Sequence, residues 1–351
     1  MFSNRALNRA LLARQGLLER QAVPPLTMIE RLGGLQAQQA RPPFVGLWSR
    51  LEGFRREQLI ELLEAKTVVR ALFWRGTLHL LSANDFHAWR ESIQPMLTAG
   101  MRSILKERVR TFDAELVLAH ARKQFGNGPR TFTELRNALV EAFPDGGDRA
   151  MGYFVRTHLP LVSVPTKMAW GFPADAEFQM IPSPSKTKPS SIVKRYLAAF
   201  GPATVADFQA WSGYKGAQAL FDKEDLEVFP GRKTFYDVPG SPRPDEDVPA
   251  PVRFIAEFDN LILSHADRTR IISEEHRPKV VTKNLLVLGT FLVDGFVAGI
   301  WKVDRKKTEA KLHIQTFIKV SAAAQRDLKE EGDRLTRFLE PDASTISIDF
   351  R

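Results

Sequence analysis

The sequence predicts an α+β fold: repeated helix–turn–helix units, each closed by a short β ribbon, followed by a β-rich C-terminal domain. Three observations predict it. The first is a weak internal repeat. Lys123-Gln124-Phe125-Gly126 leads through Pro129 and Thr131 to Phe132 and Leu135, and residues 195–201 lead through Pro202 and Thr204 to Phe208 and Trp211. In each copy a glycine can close one helix and a threonine can cap the next, and a β-like stretch follows (161–172, then 226–238). Helix, turn, helix, ribbon is the order of a winged helix. The period of about 75 residues is too long for a solenoid. The second observation is a pair of linkers, residues 181–191 with three prolines and four serines, and residues 239–251 with five prolines and the acidic run Asp245-Glu246-Asp247. The third is the change of texture beyond them, where residues 254–318 alternate β-type runs with turn signals such as Asp294-Gly295.

In chain order, residues 4–21 read as an amphipathic helix, with Leu7, Leu11 and Leu18 on one side and arginines on the other. Thr27 with Glu30 has the spacing of a capping box, and opens a second helix to about 39 that Arg41-Pro42-Pro43 stops. Residues 55–66 form a helix, 68–81 a strand with Gly76 inside it, and 84–106 a helix. Up to residue 81 this is a looser copy of the repeated order. A closing helix over 322–339 and a last strand over 345–350 complete the chain. The expected domains are 1–110, 111–185, 186–248 and 249–351.

Of 351 residues, 44% are hydrophobic and 26% charged, which excludes disordered and collagen-like chains. There is no cysteine, so disulfides, Fe–S clusters, zinc ribbons and cysteine nucleophiles are excluded. No apolar run approaches the ~18 residues that span a bilayer, and the Arg-rich start has no apolar core of a secretory signal. The chain is expected to be soluble and cytoplasmic. The net charge of +9 is unevenly placed. Residues 1–110 carry 17 Lys/Arg against 9 Asp/Glu, residues 111–190 carry 9 against 8, and residues 191–351 carry 24 against 24. Fifteen of those first 17 cations are arginines, whose planar fork suits phosphate. A polyanion, nucleic acid first, is one reading; a solvated basic surface is the other.

The common cofactor signatures are absent: no Gly-x-Gly-x-x-Gly, P-loop, Gly-x-Ser-x-Gly or His-Glu-x-x-His. The seven histidines (79, 87, 120, 158, 265, 276 and 313) do not pair at metal-ligand spacing. Two local features remain. Gly33-Gly34-Leu35-Gln36-Ala37-Gln38-Gln39 concentrates three amides where the chain turns. On a regular helix Gln36 and Gln38 would sit ~200° apart, so they serve one site only if the helix ends or bends there; otherwise they are a polar helix end. In Arg75-Gly76-Thr77-Leu78-His79-Leu80, a strand would place Arg75, Thr77 and His79 on one face, as a site or as a solvated sheet face. Glu257-Phe258-Asp259-Asn260 and residues 265–270 read as a salt-bridge cluster. Lys302, Arg305, Lys306 and Lys307 fall at a hairpin tip, a place that suits phosphate or plain solvent.

These residues resemble the AlkZ/YcaQ-type winged-helix DNA glycosylases. The matching pieces are residues 12–17, 32–38, 75–80, 200–204, 258–260 and Asp267-Arg268, in the family's order and over almost the whole chain. The resemblance implies three tandem winged helices and a C-terminal β-barrel around a DNA channel. It implies excision of alkylated purines, with unhooking of interstrand crosslinks in some members. The family's catalytic motif is Gln-x-Gln in the AlkZ branch and Gln-x-Asp in the YcaQ branch; Gln36 and Gln38 place this chain with the first.

Glutamines suit such chemistry. An amide is no base at neutral pH, but it can hold and orient a water. A purine alkylated at N7 or N3 is cationic and already a good leaving group, and its departure leaves an oxocarbenium-like sugar. Gln36 and Gln38 would then position the water at C1′. Neutral lesions such as uracil should not be cut. With no lysine beside the motif to form a Schiff base, the enzyme is expected to be monofunctional. Arg41, Arg75, Thr77, His79, Arg268, Arg270, Lys306 and Lys307 are assigned to DNA binding, and the N-terminal arginines to flanking phosphates. The expected partner is double-stranded DNA with alkylated purines, bound near the nucleoid by a monomer with no metal or cofactor. The alternative is a winged-helix transcriptional regulator without catalysis, which would read base edges at a defined operator.

Overall fold

The computed structural model describes residues 2–181 and 191–351. Most of the expected linker at 181–191, and the boundary at 185/186, lie outside the described residues. The chain opens with helix Asn4–Arg14, capped by Ser3, whose hydroxyl accepts from the Ala6 N–H. It ends well short of residue 21 because Gly16 turns the chain at φ +67. The second helix, Pro25–Arg31, is also shorter than expected and does not use the Thr27 box. Pro24 is its N-cap and Pro25 its first residue, since proline pre-sets helical φ and has no N–H to leave unpaired. The same logic makes Pro42 a start and not a stop: it opens helix Pro42–Arg50.

Between these two helices runs β1 (Leu35–Gln36), and after helix Arg56–Glu64 come β2 (Val68–Leu72) and β3 (Leu78–Ser82). The single strand expected over 68–81 is a hairpin. Arg75 (φ +56) and Gly76 (φ +69) are both left-handed and turn the chain back in one tight turn. Helices Ala83–Arg90 and Gln94–Leu105 follow.

The repeat is visible in the structure. Helix Ala114–Gly126 leads to helix Phe132–Ala142 through a Thr131/Glu134 capping box, then to helix Asp148–His158, β4 (Leu161–Ser163) and β5 (Phe178–Met180). Helix Ile192–Phe200 leads to helix Val205–Ser212 through a Thr204/Asp207 box, then to the short helix Gln218–Phe221, β6 (Glu227–Phe229) and β7 (Phe235–Asp237). The first two ribbons join. One sheet runs β1-β3-β2-β4-β5, crossing at Ala71 and Val162, while β6 and β7 pair alone.

The C-terminal domain holds β8 (Arg253–Ile255), β9 (Thr290–Val293), β10 (Phe296–Lys306), β11 (Glu309–Thr316) and β12 (Thr345–Phe350), in the order β12-β11-β10-β9-β8. Asp294-Gly295 turns the β9–β10 hairpin with both residues at positive φ. The sheet is open, which corrects the expected barrel: β8 and β12 are its two edges and do not pair. Helix Ala322–Leu339 supplies the reason. It crosses from β11 to the parallel β12, and Leu328, Leu335 and Leu339 bury the apolar side of the sheet with Phe254, Leu312 and Ile314. A sheet covered by a helix need not close on itself.

The largest apolar cluster runs from Leu11 and Leu12 through Trp74, Trp89, Tyr196 and Trp211 to Phe258 and Leu292, so the expected domains share a core. Charge follows the same plan. Arg5 and Arg9 pair with Asp294, Arg14 with Asp237, Arg20 with Glu331, Arg41 with Glu257 and Arg50 with Asp259. All five acids lie beyond residue 191. Six of the fifteen N-terminal arginines are therefore fastened to the C-terminal half. Arg55, Arg102 and Arg108 of this third remain exposed.

Candidate active site

The two glutamines sit on a strand and its continuation, not at a helix end. Gly33 (φ +63) and Gly34 (φ +101) stop the preceding helix. A Cβ on Gly34 would stand 2.9 Å from the Leu80 carbonyl oxygen, and one on Gly33 would stand 3.0 Å from the Trp211 ring, so only glycine fits there. The chain then extends along β3. Leu35 pairs with Leu80, Gln36 with His79, and the Ala37 N–H donates to the Leu78 carbonyl at 2.7 Å. Two residues apart on extended backbone is the spacing that puts Gln36 and Gln38 on one side. Gln36 is 8% exposed, whereas Gln38 is exposed.

Carbonyl after carbonyl of this segment is held by a side chain. Trp74 Nε1 donates to Gly33 at 2.7 Å and Asn260 Nδ2 to Gly34 at 3.0 Å. Arg70, buried on β2, donates to Ala37 at 2.9 Å and to Gln38 at 3.2 Å. Arg70 and Trp74 hold this segment and were missed by sequence reasoning, the signal for the first being a lone arginine inside the apolar run of β2; Asn260 falls in the 258–260 piece, read there only as part of a salt-bridge cluster.

The amide ends are oriented too. Arg75 donates to Gln36 Oε1 at 2.6 Å, and the Leu78 N–H reaches Gln38 Oε1 at 3.4 Å. Because guanidinium and backbone N–H only donate, both glutamine oxygens face inward, which leaves both NH₂ groups and the spare oxygen lone pairs for a water or a substrate. The other amino group of Arg75 donates to the Trp211 carbonyl. Burial and nearby Arg268 push Arg75 down to about 10, so it stays charged at neutral pH.

Arg75, Thr77 and His79 do not share a strand face as expected, because Arg75 belongs to the turn. Thr77 Oγ1 donates to the Trp74 carbonyl at 3.1 Å. His79 is fully buried opposite Gln36, with Nδ1 3.0 Å from the Thr77 carbonyl oxygen and Nε2 without a partner among the described residues. Burial, then Arg75, pushes it down to about 3, so it is neutral.

The other expected cations are spread over the fold, and of them Arg268 lies near Arg75. Arg41 donates to Glu257 at 2.7 Å. Arg268, half-buried, donates to the His265 carbonyl at 3.3 Å and lies within electrostatic reach of Arg75. Arg270 is 3% exposed and donates to the Pro202 carbonyl at 2.8 Å, with Asp207 3.6 Å away, so it fastens the interior. Lys306 and Lys307 are exposed at the β10–β11 hairpin tip. The charged residues of 257–270 do form salt bridges, but with partners outside the cluster: Glu257 with Arg41, Asp259 with Arg50, Asp267 with Lys233 and Arg270 with Asp207. Among the described residues no group of three His, Cys, Asp or Glu side chains could hold a metal, and no helix is long and apolar enough to cross a membrane.

A model of the family described as DNA glycosylase AlkZ-like matches residues 29–338, the whole span from the glutamine segment to the closing helix. The chain belongs to the AlkZ-like DNA glycosylase family. An interstrand DNA cross-link repair glycosylase of Streptomyces sahachiroi is 24% identical over 151 residues, 39% of this AlkZ-like chain and 40% of that protein. The matched segment thus spans well under half of that relative. The solved structure of Streptomyces sahachiroi DNA glycosylase AlkZ is similar with a TM-score of 0.77, covers 100% of both chains and is 19% identical. At that identity the likeness is one of fold.

Proposed function

We propose that this AlkZ-like chain is a monofunctional DNA glycosylase that excises cationic N7- or N3-alkylated purines from duplex DNA. The observation that carries the reading is the Gln36–Gln38 segment: two amides at period-two spacing, their oxygens anchored by Arg75 and Leu78 and their NH₂ groups donating to no group among the described residues. That arrangement suits orientation of a water and supplies no base. The substrate must therefore bring its own activation. In the reaction the C1′–N9 bond breaks and its electron pair neutralises the cationic purine. The water oxygen bonds to C1′, and the water proton passes to solvent.

Arg75 works here as a positioning residue. A guanidinium beside an oxocarbenium-like sugar opposes it electrostatically, so its value lies in fixing the Gln36 amide and in meeting a phosphate. Neutral His79 behind Gln36 adds no further positive charge. Lys306 and Lys307 at their hairpin tip, with Arg268 beside Arg75, are the proposed phosphate contacts. The three helix–turn–helix units are proposed to act as winged helices lining a DNA channel. The name of the Streptomyces relative includes interstrand DNA cross-link repair; unhooking a crosslink would be the same bond cleavage at a guanine tethered through N7.

The test is release of free base. Duplexes carrying one 7-methylguanine should lose it to the protein and leave an abasic site without strand cleavage, while matched duplexes carrying uracil stay intact. No release of 7-methylguanine, with sequence-specific binding to one operator instead, would establish the regulator reading.

A further inference from the structure

Two large apolar side chains stand in solvent on one hairpin tip. Leu285 is 78% exposed and its neighbour Leu286 47%. The tip is pinned through Thr282. The Thr282 N–H donates to the Leu286 carbonyl at 2.9 Å, the Leu286 N–H to Thr282 Oγ1 at 3.1 Å and the Leu285 N–H to the Thr282 carbonyl at 2.9 Å. Lys283, Asn284 and Leu285 thus form a three-residue loop whose last member sits at φ +60. Glycine is the usual residue at that slot, because a side chain at positive φ crowds its own backbone. Leucine there is strained, and no burial of its side chain offsets the strain. Neither the conformation nor the exposure serves packing, the pattern of a side chain kept for contact with something outside the fold.

The hairpin is seated beside the glutamine strand. At its base Val281 bridges to Val287, and Val287 is buried in the largest apolar cluster. The Val287 carbonyl accepts from the Phe258 N–H at 3.2 Å. Two residues on, Asn260 holds the Gly34 carbonyl, two residues before Gln36. Cations lead the same way. Arg268 lies within electrostatic reach of Arg75 and also of Arg277, which opens the short helix Arg277–Val280 before the hairpin. The acids of this stretch, Glu274 and Glu275, are paired with Arg277 and Lys279, whereas exposed Lys283 is bonded to no carboxylate among the described residues.

We propose that Leu285 is a wedge: it enters the base stack of duplex DNA at the step beside the alkylated purine, and Lys283 meets the phosphate next to that step. This rests on the glycosylase reading above. Inserted apolar side chains unstack and kink a duplex. An opened step loosens the sugar from its neighbours and gives the water held by Gln36 and Gln38 access to C1′. A base step offers two flat apolar faces to one narrow side chain. A second protein surface fits less well, since two leucines on a three-residue loop fall far short of the ~800 Å² per partner of a stable interface.

The test places 7-methylguanine opposite cytosine in one duplex and opposite a tetrahydrofuran abasic analogue in another. The analogue removes the partner base and part of the stacking that a wedge must overcome. The readout is the single-turnover release rate on the paired duplex divided by that on the analogue duplex. Leu285→Gly and Leu285→Asn accept positive φ, so their thermal midpoints should be no lower than wild type. In both, the ratio should fall about fivefold or more, because the loss concentrates where the stack is intact. Leu285→Met keeps a flexible apolar side chain and should lose less. Should the glycine variant melt lower, Leu285→Asn carries the comparison. A smaller fall overturns the wedge, including a parallel loss on both duplexes. An unchanged ratio with an altered oligomeric state in sedimentation would assign the tip to contact between copies of this chain. Wild-type release from neither duplex overturns the glycosylase reading. The wedge is then judged separately, by 2-aminopurine beside the lesion, whose fluorescence should rise on binding of wild type and not of Leu285→Gly. No rise with wild type, or an equal rise with both, overturns it.

Discussion

The guanidinium of Arg75 donates to the side-chain oxygen of Gln36 at 2.6 Å and, through its other amino group, to the carbonyl of Trp211. One side chain thereby fixes the orientation of the proposed water-holding amide and ties the β2–β3 turn to the helix Val205–Ser212. Lysine keeps the charge but cannot span two acceptors with a rigid fork. Arg75→Lys is therefore expected to lower the single-turnover release of 7-methylguanine by about 10- to 100-fold, the scale of a misplaced reacting group, with duplex affinity within a few-fold of wild type. Equal losses in affinity and rate would make Arg75 a phosphate contact only.

The buried pair Arg50 and Asp259 sits under the glutamine segment, next to Asn260, with bidentate bonds of 2.8 Å. Asp259→Ala leaves an uncompensated buried guanidinium and is expected to cost about 3–5 kcal/mol in urea unfolding. A change below about 1 kcal/mol would mean that water or another group replaces the carboxylate.

Two buried histidines set an acid limit on stability. His79 is pushed down to about 3 by burial and Arg75, and His265 is also pushed down, by burial and then Arg270. Between those values and the ordinary histidine value of ~6.5 the unfolded chain binds protons that the folded chain does not, so stability is complete above about pH 6.5 and falls as the pH drops. The thermal midpoint should decline from pH 7 to pH 5, and less steeply in His79→Gln. Identical pH slopes for the two proteins would show that His79 takes up its proton while folded.

Salt dependence separates the cations. Lys306 and Lys307 are exposed, whereas Arg9 is buried on Asp294. Lys306→Ala and Lys307→Ala should each reduce the slope of log affinity against log salt by about 1. Arg9→Ala should lower stability and leave that slope alone. Unchanged slopes in both lysine variants would remove the hairpin tip from the DNA contact.

The repeat, the caps at Thr131 and Thr204, the Asp294-Gly295 hairpin and the closing helix and strand were legible because each depends on local chemistry: a glycine stop, a side-chain cap, a left-handed turn. The site was legible in its residues and not in its geometry. Gln36 and Gln38 looked like a helix end because the Gly33-Gly34 break was read as helix, and only pairing with β3, more than 40 residues away, makes that segment a strand. Arg75 looked like a strand residue because nothing local announces a left-handed arginine. The pairing of the arginines of the first third was illegible for a related reason. Their partners, Asp237, Asp259, Asp294 and Glu331, lie some 200 residues or more away in sequence. The barrel failed because the helix that covers the sheet removes the need for closure, a choice made by packing.

The central claim is that Gln36 and Gln38 position the water. Its most direct measurement is single-turnover release of 7-methylguanine by Gln36→Ala and Gln38→Ala, alongside duplex binding by the same proteins. The account predicts a loss of roughly 10²-fold or more in each rate, the scale of removing one preorganised polar group, with binding little changed. Release at the wild-type rate by either variant would contradict it.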